Sequence, residues 1–336
     1  MRRILLVITS FVLFIGLAVP VGAASRSELD AAVSGAAAYI LRTVQSPGVG
    51  TVGGEWAVIG LARSGHSTPD SFFRNYRREV ERLVREQRGI LDERRFTEYS
   101  RVILAMTAVG LDPKNVVGFD LTRRLGDFDR TLRQGINGAV FALLALDSFD
   151  YPVPVYRNAE TQATREMYVA EILRRQTPDG GWNMTAGTNG AAVGGSERGD
   201  VDITAMALQA LAKYQDDEAV RAAANRALRF LSRSQDEHGG FSSGFSRGAP
   251  TVESAAQVLI ALTELGVDLE DPRFVKNGNT IIDNIVSFQN ADGGFSHTLG
   301  DGESDLMPTE QALLGLVAAQ RAADGQNSLF RMSDAR

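Results

Sequence analysis

The chain has 336 residues, 44% of them hydrophobic, with a formal charge of −6 and no cysteine. The acidic balance argues against nucleic acid, which calls for a basic stripe, and the lack of cysteine excludes disulfides and thiolate metal sites. Such a chain must be held by buried apolar surface, and at this length a large core is available.

Met1 to Ala23 reads as a targeting segment. Arg2 and Arg3 precede an apolar run from Ile4 to Val19, and Val21-Gly22-Ala23 is a small-residue cleavage site. The run is short of the roughly 20 residues needed to span a bilayer, so the expectation is a cleaved signal peptide. The mature protein, 24–336, would be secreted or at the cell surface, with no transmembrane segment. Ser27-Glu28-Leu29-Asp30 reads as a capping box opening a first helix that runs to about Val44. Glu55 to Arg63 is short and apolar. Thr68 is expected to cap a helix with Pro69 at its first position. In that helix Phe72, Phe73, Tyr76, Val80, Leu83 and Val84 share one face opposite the charges. Beyond it, apolar stretches (Val102–Val109, Ala139–Leu146, Ile203–Ala212, Ala255–Leu265, Ala312–Ala323) take turns with mixed or amphipathic ones (112–132, 160–176, 218–235, 277–289). Pro152 and Pro154 mark a link between halves, and Gly187 to Gly199 a loop.

A helix apolar on all sides is buried on all sides, while an amphipathic one covers a surface. Six of each, alternating, give two concentric layers: an all-α (α/α)6 toroid of six outer-inner helical hairpins. One phrase recurs within it. Gln176 to Trp182 reads QTPDGGW, Gln235 to Phe241 QDEHGGF and Gln289 to Phe295 QNADGGF, at intervals of 59 and 54 residues. Each copy closes an amphipathic helix, reverses at Gly-Gly and leads to an apolar helix, and its ring is expected to pack between neighbouring hairpins. The interval exceeds the 34 to 47 residues of most helix-pair solenoids, which favours a closed ring over an open one. It also overrides the two domains that length alone would indicate.

The phrase Q-x3-G-G-[W/F] before an apolar helix resembles the repeat of the prenyltransferase and squalene-cyclase superfamily of α/α toroids. Gly199 to Tyr214, GDVDITAMALQALAKY, looks like a segment of secreted bacterial toroids of the transcobalamin and intrinsic-factor type. GGEWAVIGLARSG (from Gly53), EYSRVILAMTAVG (from Glu98), QGINGAVFALLALDS (from Gln134), KNGNTIID (from Lys276) and TEQALLGLVAAQR (from Thr309) read like the same group. That likeness implies a corrinoid as a candidate cofactor, but the chain provides no small second domain, so the corrinoid site would be half built unless a partner completes it. Asp200-Val201-Asp202-Ile203-Thr204-Ala205 resembles the D-x-D-D-T-A motif of cyclases that protonate an alkene or epoxide. There Asp202 takes the place of the acid, Asp200 of the first carboxylate, and Ile203 stands where the third is expected.

In a toroid of parallel inner helices, all six N-termini reach one mouth. They start near Glu55, Glu98, Asn137, Asp200 with Asp202, Glu253 and Glu310, and five of these six starts carry an acid. Acids there favour the helix dipole and cap free N–H groups. Together with Trp56, Tyr99, Trp182 and His297 they also describe an acidic, aromatic-edged ligand site. Zinc as in protein prenyltransferases is not expected, because the chain has only three scattered histidines. The expectation is a non-catalytic module binding a small-molecule or surface ligand. The alternative is a terpenoid-cyclase-like or glycan-acting enzyme using Asp202 as acid, since paired carboxylates also cleave glycosides.

Overall fold

The computed structural model describes residues 24–185, 198–244, 246 and 248–335. The expected signal peptide and most of the loop expected from Gly187 to Gly199 lie outside them. Among the described residues there is no β-strand, and twelve α-helices alternate between two layers. The outer layer holds α1 (Arg26–Thr43), α3 (Asp70–Glu86), the short α5 (Phe128–Thr131), α7 (Arg165–Arg174), α9 (Glu218–Ser234) and α11 (Ile281–Val286). The inner layer holds α2 (Trp56–Arg63), α4 (Thr97–Ala108), α6 (Ile136–Asp147), α8 (Val201–Leu211), α10 (Val252–Glu264) and α12 (Leu306–Ala323). Each inner helix packs on the next, α2 on α4, α4 on α6, α6 on α8, α8 on α10 and α10 on α12. Contact between α12 and α2 closes the ring.

Composition explains the sorting. In α3, Phe72, Tyr76, Val80 and Val84 are buried four residues apart, while Arg77–Glu81 and Arg82–Glu79 ion pairs lie on the wet side. In α10 every residue except Glu253 and Gln257 is buried. Those two exceptions face the interior of the ring.

The repeated phrase builds one joint three times. The first glycine of each pair, Gly180, Gly239 and Gly293, has φ of +96°, +81° and +86°, a conformation open to glycine and strained for other residues. A Cβ there would also strike the backbone of the following outer element, at Arg226, Thr280 and Gly35 respectively. The glutamine amide donates twice: Gln176 to the carbonyls of Gly180 and Ala223, Gln235 to Gly239 and Phe274, Gln289 to Gly293 and Ala32. The third joint lands on α1, so the last hairpin is bonded to the first. Trp182, Phe241 and Phe295 are fully buried, as expected of rings between hairpins.

Some boundaries differ from expectation. The first capping box is Ser25 with Glu28, not Ser27 with Asp30. Pro69 is the residue before α3, and the Thr68 hydroxyl turns back to the His66 carbonyl instead of capping. The last inner helix begins at Leu306, ahead of Glu310, because proline is tolerated in a first turn, where Pro308 sits.

The far end of the ring is closed by the tail after α12. Leu329 and Met332 are fully buried there. The Met332 amide donates to the Ser148 carbonyl, the Phe330 amide to Glu264, and Asp334 pairs with both Arg63 and Arg321. These partners lie at the C-terminal ends of α6, α10, α2 and α12, so those four inner helices run the same way.

Truncating a fully buried ring is expected to be expensive. Trp182→Ala should lower stability by about 3–5 kcal/mol, read as a fall in denaturant midpoint. The loss includes the indole N–H bond to the Ile172 carbonyl, 2.7 Å.

Candidate active site

The open end of the ring holds a cavity of about 420 Å³ lined by the first turns of α2, α8, α10 and α12 and by the loops before them. Three repeats supply its wall in register. The N-caps are Asp200, Thr251 and Asp305. Two residues beyond each cap stand Asp202, Glu253 and Met307, and six beyond stand Met206, Gln257 and Gln311; all six line the cavity. Positions four apart on a helix share a face, so a single rotational setting of each inner helix presents both. Trp56, Ser243, Ser246 and His297 complete the rim, and Phe141 stands against Trp56 with ring centroids 6.2 Å apart. The Gln209 side-chain amide donates to the Gln257 side chain at 2.9 Å, and that of Gln257 to Gln311 at 2.8 Å. This ties α8, α10 and α12 together along one wall.

Asp200 and Asp202 have separate roles. Asp200 caps α8, one oxygen accepting the Ile203 N–H at 3.0 Å and the other the Gly244 N–H at 2.7 Å. Asp202 caps nothing. Its Oδ1 is buried without a hydrogen-bond partner. Burial pushes its pKa up to about 6, with the charges of Asp200 and Glu253 adding to the shift and the Ser254 and Ser243 hydroxyls opposing it. Glu253 is held by His297, whose Nδ1 lies 2.9 and 3.0 Å from the two carboxylate oxygens. Among the described residues no group of three or more histidine and acidic side chains is placed to hold a metal ion.

The other expected site residues are brought to the same end of the ring but not into the cavity. Trp182 is core, its ring edge committed to a backbone carbonyl. Tyr99 is buried, its hydroxyl accepting the Leu91 N–H. Glu98 is paired with Arg101. Asn137 is half-buried, and its side-chain oxygen has no partner. Glu55 and Glu310 are wholly buried beneath the glycine-rich segment before α2. Glu55 accepts the Gly50 N–H and the Tyr76 hydroxyl and pairs with Arg101, while Glu310 accepts the Gly53 N–H at 2.8 Å. Met206, Gln257 and Gln311 were not expected from sequence. The signal for them was the register of the repeats themselves, counted from the caps.

Burial, reinforced by the neighbouring Glu55 carboxyl, raises Glu310 to about 8; burial likewise raises Glu55 to about 7. A carboxyl whose folded value lies above its unfolded one stabilises fully at acid pH and loses that contribution as pH rises through the folded value. Wild-type stability should therefore fall relative to Glu310→Gln between the ordinary glutamate range and about pH 8. The slope should approach about 1.4 kcal/mol per pH unit, measured by urea unfolding of both proteins across that range.

Residues 196–328 match the squalene-hopene cyclase C-terminal domain family, and that span contains Asp202, Glu253, His297 and two of the three glycine joints. A drimenyl diphosphate synthase from Streptomyces showdoensis is 27% identical over 180 residues, half of this chain and 33% of the synthase, so the chain spans about a third of that relative's length. Among solved structures, an unsaturated glucuronyl hydrolase from Bacillus sp. GL1 superposes with a TM-score of 0.59 at 12% identity, over 91% of this chain and 98% of the hydrolase. A type II terpene cyclase from Scytonema superposes with a TM-score of 0.53 at 12% identity, over 88% of this chain and 98% of the cyclase. At such identities these two show the fold alone. Nothing in these matches supports the transcobalamin relation. The matched region makes residues 196–328 similar to the squalene-hopene cyclase C-terminal domain, which supports the resemblance to the prenyltransferase and terpenoid-cyclase superfamily, and the closed double ring is an α/α toroid.

Proposed function

We propose that the protein is an enzyme that starts the cyclisation of an isoprenoid by protonating it, with Asp202 as the acid. The expectation of a non-catalytic binding module gains no support from the matches, whereas the alternative does. One observation carries the reading: a half-buried carboxyl, one oxygen enclosed and its pKa raised toward neutrality, lines a cavity edged by Trp56 and Met206. General acids work best when their acidity lies near the operating pH. Here the shift comes first from burial, as in other enzymes that keep a carboxylic acid protonated.

The chemistry follows from that placement. Asp202 gives its proton to one carbon of an alkene, and the π electrons form the new C–H bond. The adjacent carbon becomes cationic and is attacked by the next double bond. The ring of Trp56, in the lining, stabilises positive charge passing near it. Water in the cavity takes a proton from the carbon beside the last cation, the C–H electrons restore an alkene, and Asp202 remains as carboxylate. The lining carries two acids and, among the described residues, no lysine or arginine. That favours an isoprenoid without a diphosphate head, since like charges in a half-closed site repel. A second reading, acid-assisted cleavage of a glycan, draws on the same pair, Asp202 and Glu253, and on the amide wall of Gln257 and Gln311. Export through Met1 to Ala23 belongs to this proposal as well.

The test is product formation from linear isoprenoids with and without a diphosphate, beside sugar release from disaccharides. Asp202→Asn keeps the shape but holds no proton to give, so turnover should vanish while the melting temperature stays put. Wild-type rate should decline as pH rises through about 6, because the acid must be protonated. Cyclisation that persists in Asp202→Asn would remove Asp202 from the role. Sugar release without cyclisation would install the second reading.

A further inference from the structure

An acid that gives up its proton in each cycle must recover one, and the enclosed Oδ1 of Asp202 has no hydrogen-bond partner to supply it. Asp200, the nearest acid on its own helix, has both oxygens engaged by the N–H groups of Ile203 and Gly244. Ser254, on α10, is hydrogen-bonded to Thr251. Ser243 is buried in the loop before α10. The remaining titratable groups in the lining are Glu253 and His297. They form a graded sequence: the Glu253 side chain is 15% exposed and that of His297 49% exposed, with Nδ1 bonded to both carboxylate oxygens. The backbone holds this arrangement, because the His297 carbonyl accepts the N–H of Val252, the first residue of α10. An imidazole bonded through one nitrogen can take a proton at the other.

We propose that His297 and Glu253 form the path by which solvent protons return to Asp202. This rests on the reading of Asp202 as an acid but on no particular substrate. After Asp202 has lost its proton, the imidazole takes one from water at Nε2 and passes the one on Nδ1 to the Glu253 carboxylate. Glu253, now a carboxylic acid, passes it to the Asp202 carboxylate through the cavity they share, where a water can bridge polar groups too far apart for a direct bond. At the end Glu253 is a carboxylate, Asp202 is an acid again and His297 is neutral with its proton on Nε2; loss of that proton to water and uptake of one at Nδ1 restore the starting tautomer without net change. One proton has entered from solvent, balancing the one the product released.

The path is tested without substrate by infrared spectroscopy. The carbonyl stretch of protonated Asp202 is assigned by its loss in Asp202→Asn, and its response to a rapid pH jump is timed. His297→Gln keeps a hydrogen-bond donor toward Glu253 but cannot relay a proton, and Glu253→Gln interrupts the next link. Each should slow the response tenfold or more, in keeping with the scale of positioned proton transfer. Free imidazole should restore the rate in His297→Gln and not in Glu253→Gln. Unchanged response times in both variants would overturn the path, and so would slowing in His297→Gln that imidazole does not relieve. A failure to cyclise any isoprenoid would instead count against the proposed reaction, and the pH-jump result would stand apart from it.

Discussion

The fold depends on one side-chain amide used three times. A sharp reversal needs its carbonyls satisfied, and a ring of hairpins needs each hairpin fixed to the next. The glutamine of each repeat meets both needs. Its NH2 group closes the Gly-Gly turn that follows it and reaches the backbone of the next outer element. Because the bonds go to main-chain carbonyls, the joint asks of the partner's side chains mainly that they leave room. The surrounding sequence is therefore free to diverge while the interval stays near one hairpin. Gly35 belongs to the same device: a Cβ there would strike the Gln289 amide. The first helix is thus shaped to receive the last repeat, which is what turns a stack of hairpins into a closed ring.

The ring in turn positions the chemistry. The tail seals one end through Asp334 and Glu264, and the helix starts face the other. The cavity floor is made of residues four apart on helices whose remaining faces are buried, so none of these helices can rotate without exposing core. Placing the acid on such helices gives it a fixed aim, which a loop would not.

The architecture was legible because it is written in periodicity. Apolar helices such as Ala255 to Leu265 have no polar face to give water, and the repeat interval supplied the ring. The site was legible only in part, for a definite reason. Sequence places an acid at a helix start but does not say which way its side chain turns. Glu310 and Glu55 turn under the glycine-rich segment, Glu98 turns to Arg101, and Asp202 and Glu253 turn inward. Trp182 looked like part of a rim because aromatic residues are shared by cores and ligand sites alike. Its indole bond to Ile172 assigns it to the core. Ser25 was passed over as a cap in favour of Ser27 because both lie near Glu28, and only the backbone distinguishes the residue before the helix from the first residue within it.

The departure at Ile203 acquires a physical meaning from this geometry. In the motif this stretch resembles, carboxylates on either side sustain the acid. Here Ile203 is buried in the core, and Asp200 is committed to two N–H groups. The helix dipole works against a raised pKa at Asp202, since a first-turn position favours the charged form by typically 0.3–1 kcal/mol. One unit of acidity corresponds to about 1.4 kcal/mol, so the shift of Asp202 from its ordinary value to about 6 exceeds that opposition. Burial is the largest contribution, the charge of Asp200 adds to it, and Glu253 on the neighbouring helix adds a smaller share. The support that the motif draws from its own helix is thus drawn here partly from the next one, at the equivalent position of the following repeat. A carboxylate there can be linked to solvent through His297 without disturbing the cap of α8, whereas a third acid at residue 203 would have had to be buried in the core.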